Sequence, residues 1–241
     1  TSTDNSELIL NRYQSEYDNI RVISKDSWDK GPGKSRNLII EVASTEFIYF
    51  IDIDDFLCNE SVLCDYLERM KKDGSDLLIG SHVHLDNPDR GLFLTDEKFI
   101  LTDEIRTDLF AKYSYSIIYS WNKIYSLKWL KTNRICNKFD TAEDLYFFGS
   151  CLTHASVVSL SAQMGIYYDT GNPLSETNDV IFNIDERRIS KYIQMAETFA
   201  VELTLSRSFD GLYLFSFLLW LQTVILRDGF LKGKLSLRKT F

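Results

Sequence analysis

The acidic segment Asp52-Ile53-Asp54-Asp55 directly follows an apolar run, residues 46–51, that indicates a buried strand. Three carboxylates at the end of such a strand repel one another and lose hydration, so a protein core disfavours them. A divalent Mg²⁺ or Mn²⁺ ion would offset this cost because hard cations prefer oxygen ligands. Alternation places Asp52 and Asp54 on the same side, with Asp55 turned away or starting the next loop. Ligand sites in open α/β sheets lie beyond the carboxyl ends of strands, but a solvated strand-to-helix turn explains the motif alone equally well.

The composition bounds the fold and excludes one class of partner. At 241 residues and 44% hydrophobic content, the chain fits one large α/β domain or one domain with a helical extension. A formal net charge of -8 excludes wholesale nucleic-acid binding, which needs a basic surface. The four cysteines form no C-x-x-C pair, which favours buried thiols in a reducing compartment over zinc or disulfides. We therefore expect a cytoplasmic protein, and the polar residues 1–7 show no signal peptide.

The first part of the chain alternates strands with helices. Residues 19–23 have the pattern of a short strand, and a helix over 34–43 leads to the strand that ends in the aspartates. Asn59 is a suitable N-cap for the next helix, and 76–80 form another strand. This order predicts a mostly parallel sheet flanked by helices.

The second part becomes helical towards its end. Thr102 and Ser126 can each cap a helix, and 157–160 have the pattern of a late strand. Long amphipathic helices start near residue 185. We therefore divide the chain into an α/β domain, 1–180, and a helical C-terminal extension, 181–241.

The longest uncharged run, residues 211–226, is short for a membrane span and contains polar side chains. A buried helix is favoured over a membrane-surface helix. The basic residues that follow it fit an anionic membrane, so peripheral membrane contact stays an alternative. The aromatic residues of this run also make pairing with a second copy of the chain an option.

Four motifs follow one another in register. They are the segment 31–37 (Gly-Pro-Gly-Lys-Ser-Arg-Asn) with the aspartates of 52–55, then Trp121-Asn122-Lys123-Ile124-Tyr125, Glu143-Asp144-Leu145-Tyr146-Phe147, and Ile166-Tyr167-Tyr168 with Pro173-Leu174-Ser175. This order resembles the family 2 glycosyltransferases with the GT-A fold. Their pattern is a glycine-containing turn, an Ala/Ser-Arg-Asn step, Asp-x-Asp-Asp, W-N-K-L-Y, E-D-L-x-F and a closing tyrosine segment. The resemblance implies a GT-A-like α/β fold over residues 1–178.

Two departures from the family pattern stand out. Asp169 stands where the family usually has an arginine soon after the tyrosines. Residues 1–6 resemble the end of the family's D-D-G-S-T-D-N-S segment, which normally follows the second strand. The resemblance therefore implies that the first two strands, which help to hold the nucleotide base, lie upstream of residue 1. The chain is then a fragment or the sequence is incomplete, and we expect poor activity from it alone.

The resemblance implies an inverting, metal-dependent transfer by a glycosyltransferase of hexosyltransferase type. The donor is a nucleoside-diphosphate sugar, most commonly a UDP-sugar, and the acceptor is a hydroxyl of a saccharide or a lipid-linked molecule. The departing diphosphate needs a cation, Mn²⁺ or Mg²⁺. Asp54 is the first choice as metal ligand, Asp52 as a metal or ribose contact, and Asp55 as a third acid that orients the loop.

The acceptor hydroxyl must lose a proton, which needs a carboxylate on the opposite face of the sugar. Asp144 is the candidate base, with Glu143 beside it; favourable charge in the first turn of a helix is the alternative. On the donor side, the guanidinium of Arg36 is a candidate hydrogen-bond donor to the nucleotide base or the diphosphate. The alternative is that Arg36 is a surface residue. Gly33 and Asn37 belong to the turn and helix start that approach the donor, although a plain turn explains Gly33 nearly as well.

Other polar residues have competing interpretations. His82 and His84 share one strand face, which favours a lining of the acceptor pocket over a zinc pair without a third ligand. Asn122 and Lys123 shape the acceptor side or only pack a loop, and Trp121 is a wall or core residue.

Three functions remain in competition. The first is a metal-dependent glycosyltransferase that builds a surface polysaccharide or glycolipid. The second is a non-catalytic module of the same fold that binds a partner. A phosphatase or nucleotidyltransferase ranks last because the chain has no P-loop or phosphate-accepting nucleophile motif.

Overall fold

The computed structural model describes residues 4–24, 31–113, 117–139, 143–169 and 186–205. In these ranges the helices are α1 (Ser6–Glu16), α2 (Pro32–Val42), α3 (Val62–Asp73), α4 (Asp103–Tyr113), α5 (Leu127–Thr132), α6 (Glu143–His154) and α7 (Glu186–Leu205). The strands are β1 (Phe47–Tyr49), β2 (Phe56–Leu57), β3 (Leu77–His84), β4 (Gly91–Leu92), β5 (Glu97–Ile100), β6 (Lys123–Ser126) and β7 (Val157–Tyr168).

All these strands belong to one sheet with the order β1-β6-β3-β7-β2, while β4 pairs with β3 and β5 with β7. Strand β6 is antiparallel to both β1 and β3, and β3 is parallel to β7. Strands β1, β3 and β7 therefore run in one direction, and their carboxyl ends meet at one edge of the sheet. Strand β6 begins at that same edge because Tyr49, the last residue of β1, pairs with Ile124.

The α/β class and the flanking helices are confirmed, but the sheet is mixed rather than mostly parallel. Among the described pairings, β3 with β7 is the parallel one, and the other five are antiparallel. The crossover from β1 through α3 to β3 does give two strands of the same direction, as predicted. The prediction fails because the later strand β6 inserts between them, and because β2, β4 and β5 pair antiparallel at the sides.

Local signals account for the starts of α4 and α5 and for the end of α3. Thr102 and Ser126 accept hydrogen bonds from backbone N–H groups three residues on, as predicted. The cap of α3 is Ser61 rather than Asn59, whose Oδ1 instead accepts from the N–H of Ser61 at 3.0 Å. The helix ends at Gly74, whose φ of 63° is the left-handed conformation that glycine adopts readily.

The predicted strand at 19–23 is wrong. No residue between 20 and 24 is assigned to a strand, because no described segment supplies ladder hydrogen bonds to it. The predicted domain boundary lies outside the described residues, and so does the apolar run 211–226. Within the described ranges, none of the helices has the length and apolarity that a membrane crossing requires.

The sheet separates two groups of buried side chains. The smaller one packs α3 against the sheet through Val62, Tyr66 and Met70. The larger one covers the opposite side with α4, α5 and α6, and it includes Tyr192, Met195, Ala196 and Phe199 of α7. The packing of α7 on α6 therefore continues the core of the α/β part.

Candidate active site

Arg36 on α2 collects carboxylates from two distant parts of the chain. Its guanidinium, only 7% exposed, donates from Nη2 to Asp52 Oδ1 at 3.2 Å. Its Nη1 donates to Glu143 Oε1 at 3.2 Å and to Asp144 Oδ1 at 2.7 Å. The acidic segment after β1 and the acidic pair at the start of α6 thus meet at one arginine.

Within the described residues, three carboxylates share the charge of one guanidinium. Burial acts to lower the pKa of Arg36, but the charges of Asp144, Asp52 and Glu143 outweigh it, and the pKa is raised. Burial raises the pKa of Asp52 despite the opposing effect of Arg36. Asp52 and Asp144 both contact the single guanidinium of Arg36, and such a concentration of acids is electrostatically compatible with a bound cation.

Residues 52–55 form a tight turn, here called the aspartate turn, in which the Asp55 N–H donates to the Asp52 carbonyl at 3.1 Å. Ile53 at its tip is 96% exposed, whereas Asp55 is buried. Asp55 Oδ1 accepts from the N–H of Asp169 at 3.2 Å, and its buried Oδ2 has no hydrogen-bond partner within the described part of the chain. Burial, with the charges of Asp52 and Asp54, raises the pKa of Asp55 to about 7, although the Asp169 N–H opposes this.

The oxygen donors of the aspartate turn suit a hard divalent cation. The part of the chain that the structure describes contains no preassembled group of three or more metal-binding side chains. Such a group is not required, because Mg²⁺ is commonly held by one or two carboxylates together with substrate phosphates. The unsatisfied Asp55 Oδ2 is a further oxygen beside Asp52 and Asp54, so these residues fit the cation.

Asp144 lies in the first turn of α6 and is held on one side only. Its Oδ1 accepts from the Ser120 N–H at 3.2 Å, from the Ser120 hydroxyl and from Arg36. The side chain keeps 22% of its surface exposed. Glu143, in contrast, is buried against Gly33, where a Cβ on the glycine would approach the glutamate Cγ to 3.0 Å. Asp144 is therefore the partly exposed acid of the pair, and Glu143 is the buried acid that contacts Arg36.

The two remaining donor-side candidates lie at the same junction. The Asn37 side chain donates to the carbonyl of Asn137 and accepts from its N–H, both at 2.7 Å. Its amide is therefore engaged with the backbone that precedes α6. Gly33 permits the close approach of Glu143. A Cβ added at Gly33 would also lie 3.0 Å from the Asn137 Cβ.

The Trp-Asn-Lys step joins this site to the sheet. Asn122 has a φ of 55° and donates from Nδ2 to the carbonyls of Gly80 and Ser81, each at 2.9 Å. The register of β3 against β7 shifts at these residues, so Asn122 satisfies carbonyls that the irregular ladder leaves open. Of its two interpretations, the structure supports packing for Asn122.

Aromatic rings cover the edge where β3, β6 and β7 meet. Trp121 stacks on Tyr119 and Tyr168, with centroids 4.7 Å and 5.0 Å apart, and meets His82 edge-on at 4.8 Å. Burial lowers the pKa of His82 to about 3, which keeps this ring neutral. His82 and His84 do lie on one face, with centroids 6.2 Å apart, and within the described residues they belong to no group of three metal-binding side chains.

Sequence reasoning missed three residues of the site. Ser120 and Asn137 lie in irregular segments, and Tyr125, whose hydroxyl donates to the carbonyl of Ser120, was included only as part of a motif. The position of Ser120, directly before the Trp-Asn-Lys step, is the one signal that pointed to it.

This α/β fold brings an acidic turn and a second acidic pair together at one arginine. The profile of Glycosyl transferase family 2 matches residues 1–133, and the chain belongs to this family.

The curated relatives agree with this family assignment, and the solved structures share the fold. A poly(ribitol-phosphate) beta-glucosyltransferase of Bacillus spizizenii is 30% identical over 181 residues, covering 69% of this chain and 26% of the relative. Poly(ribitol-phosphate) beta-N-acetylglucosaminyltransferase TarS of Staphylococcus aureus is 29% identical over 171 residues, covering 70% and 28%. The crystal structure of S. aureus TarS 1-349 in complex with UDP-GlcNAc has a TM-score of 0.73 at 21% identity, covering 98% of this chain and 65% of that one. The chain thus spans about a quarter of the length of these curated relatives.

Proposed function

We propose that this chain carries the catalytic site of an inverting, metal-dependent glycosyltransferase that uses a UDP-sugar. The observation that carries the proposal is the bridge made by Arg36, which brings the aspartate turn and Asp144 into one site. A turn that binds the cation and a carboxylate that acts as the base must both lie close to the donor sugar. If the aspartates were only a solvated turn, and Asp144 only a favourable charge at a helix end, the two segments would not need to lie together.

In the proposed reaction, Asp144 takes the proton of the acceptor hydroxyl. The hydroxyl oxygen forms a bond to the anomeric carbon of the donor while the bond from that carbon to the diphosphate oxygen breaks. The electron pair of the broken bond leaves with the diphosphate, and attack from the opposite face inverts the anomeric configuration. Asp54 and Asp52, with Asp55 beside them, would hold Mn²⁺ or Mg²⁺, which supplies positive charge for the departing group.

The names of the relatives favour a particular class of acceptor. Two of them act on poly(ribitol phosphate), a polyol phosphate rich in hydroxyls. We infer a hydroxyl of a surface polymer or of a lipid-linked saccharide as the acceptor here. Cys58, Cys64, Cys136 and Cys151 are all free thiols, which supports a cytoplasmic reaction.

The test is transfer or donor hydrolysis by the full-length protein with UDP-glucose or UDP-GlcNAc, with Mn²⁺ and with a chelator. We expect Asp54→Ala and Asp144→Asn each to lower kcat by about 100-fold or more, the range for removing an electrostatic or general-base contribution. Glu68→Gln, an exposed acid on α3, is the matched control and should leave kcat unchanged.

Two results would contradict the proposal. Full activity in both site variants would remove the assigned roles. Absence of any chelator-sensitive binding of UDP would favour the non-catalytic module instead.

A further inference from the structure

Three successive carbonyl groups before β6 are held by side chains of that strand. Lys123 donates from Nζ to the carbonyls of Tyr119, at 2.6 Å, and Trp121, at 3.3 Å. The Tyr125 hydroxyl donates to the carbonyl of Ser120 between them, at 2.9 Å. Lys123 is 2% exposed and Tyr125 is fully buried, so these bonds form where water does not compete. The 119–121 segment is thereby fixed although it is not part of the sheet.

The fixed segment presents Ser120 to Asp144. Both the N–H and the hydroxyl of Ser120 donate to Oδ1 of the aspartate, and Arg36 is a third donor to the same atom. A carboxylate oxygen has about two lone-pair sites, so Oδ1 is saturated. Oδ2 has no hydrogen-bond partner among the residues that the structure describes, and the Asp144 side chain as a whole keeps 22% of its surface exposed.

We propose that Ser120 is a positioning residue that selects Oδ2 of Asp144 as the proton acceptor; this inference rests on the proposed function. The two oxygens of a free carboxylate are equivalent, and rotation about the last side-chain bond exchanges them. Ser120 removes this equivalence because both of its donors bind one oxygen. The acceptor hydroxyl then loses its proton to Oδ2, its oxygen bonds to the anomeric carbon, and the bonding pair departs with the diphosphate.

A serine elsewhere in the fold offers a matched control. The Ser159 hydroxyl donates to Asp73 Oδ2 at 2.7 Å, and Ser159 is as fully buried as Ser120. It lies near the start of β7, whereas Tyr168 at the far end of that strand borders the site. Ser159→Ala therefore removes an equivalent serine–aspartate bond away from the reacting groups.

The experiment compares Ser120→Ala, Ser120→Thr and Ser159→Ala with the wild-type full-length protein. We expect Ser120→Ala to lower kcat roughly tenfold, with the KM of the donor unchanged, because a charge-assisted hydrogen bond is lost while donor contacts remain. The acid limb of the pH–rate profile should move to higher pH, since a carboxylate that loses a donor is protonated more readily. Ser120→Thr retains the hydroxyl and should recover most of kcat, and Ser159→Ala should alter only the melting temperature.

Crystal structures of wild type and Ser120→Ala provide a readout that does not depend on turnover. The variant loses the hydroxyl donor but keeps the N–H of residue 120 and Arg36 on Oδ1, so we expect the Asp144 carboxylate to turn away from residue 120 in the variant only. An unchanged carboxylate together with unchanged kcat and pH profile would overturn the inference. A wild-type protein that neither transfers nor hydrolyses any donor would overturn the proposed function, while the crystallographic comparison would still decide whether Ser120 orients Asp144.

Discussion

Lys123 offers a quantitative test of how the 119–121 segment is held. Its Nζ is buried, donates to two carbonyls and forms no ion pair within the described part of the chain. Burial lowers the pKa of Lys123 from 10.5 to about 7; Asp144 and Cys151 on α6 oppose this effect, and Arg36 on α2 adds to it. A neutral amine has two N–H groups, which matches the two carbonyls it must serve.

The sign of the pH dependence follows from this lowered pKa. Above pH 7 the unfolded chain keeps the proton on Lys123 up to its ordinary pKa of 10.5, while the folded chain has lost it. The unfolded state therefore binds more protons, and the free energy of unfolding rises with pH between about 7 and 10. One pH unit corresponds to about 1.4 kcal/mol, so the contribution of Lys123 should grow by about 2 to 3 kcal/mol between pH 7 and pH 9.

Urea unfolding followed by circular dichroism at pH 7, 8 and 9 measures this contribution. The quantity compared is the difference between wild type and Lys123→Met, because titration of other groups cancels in it. We expect this difference to shift in favour of the wild type by about 2 kcal/mol or more over this interval. Lys72→Met, at an exposed position of α3, should give a difference that does not depend on pH. A pH-independent difference for Lys123→Met as well would refute the reasoning.

Two further substitutions test the packing around the site. Arg36→Lys keeps the charge but loses the planar guanidinium that reaches three carboxylates. We therefore expect kcat to fall by about 10-fold or more in steady-state assays. A kcat within about twofold of wild type would contradict this role of Arg36. Gly80→Ala would place a Cβ 1.9 Å from the Tyr66 hydroxyl, which is fixed in the core, and should cost about 1 to 3 kcal/mol in thermal unfolding. Gly74→Ala is the control, because an added Cβ there meets open space and strains only the left-handed backbone. Its cost should stay at about 1 kcal/mol. Equal costs for Gly80→Ala and Gly74→Ala would argue against the predicted clash with Tyr66.

Local patterns predicted the parts of the fold that local energetics decide. The helix over 34–43 is present as α2, and the caps at Thr102 and Ser126 are present, because each depends on side chains within a few residues. The insertion of β6 between β1 and β3 could not be predicted in this way. It depends on pairing between residues that are more than seventy positions apart along the chain.

In the candidate site, too, local motifs were predictable from the sequence and long-range contacts were not. The aspartates and the Glu143-Asp144 pair were recognised from motifs, but the partner of Arg36 was not. The sequence left two interpretations of Arg36, a contact to the donor or a surface residue, and in the structure three of its hydrogen bonds go to carboxylates of the protein itself. A fork donor looks alike in sequence whether its partner is a substrate phosphate or an acid 107 residues away.

The bridge at Arg36 also couples the two halves of the proposed reaction. Arg36 donates to Asp52 and to Asp144, so each carboxylate competes with the other for one positive charge. A divalent cation bound at Asp52 would satisfy that acid and leave more of the guanidinium's attraction to Asp144. Arg36 would then hold the base most firmly when the cation that accompanies the donor is in place. Loss of the cation should consequently affect proton removal as well as the departing diphosphate, even though Asp144 itself does not contact the metal in this scheme.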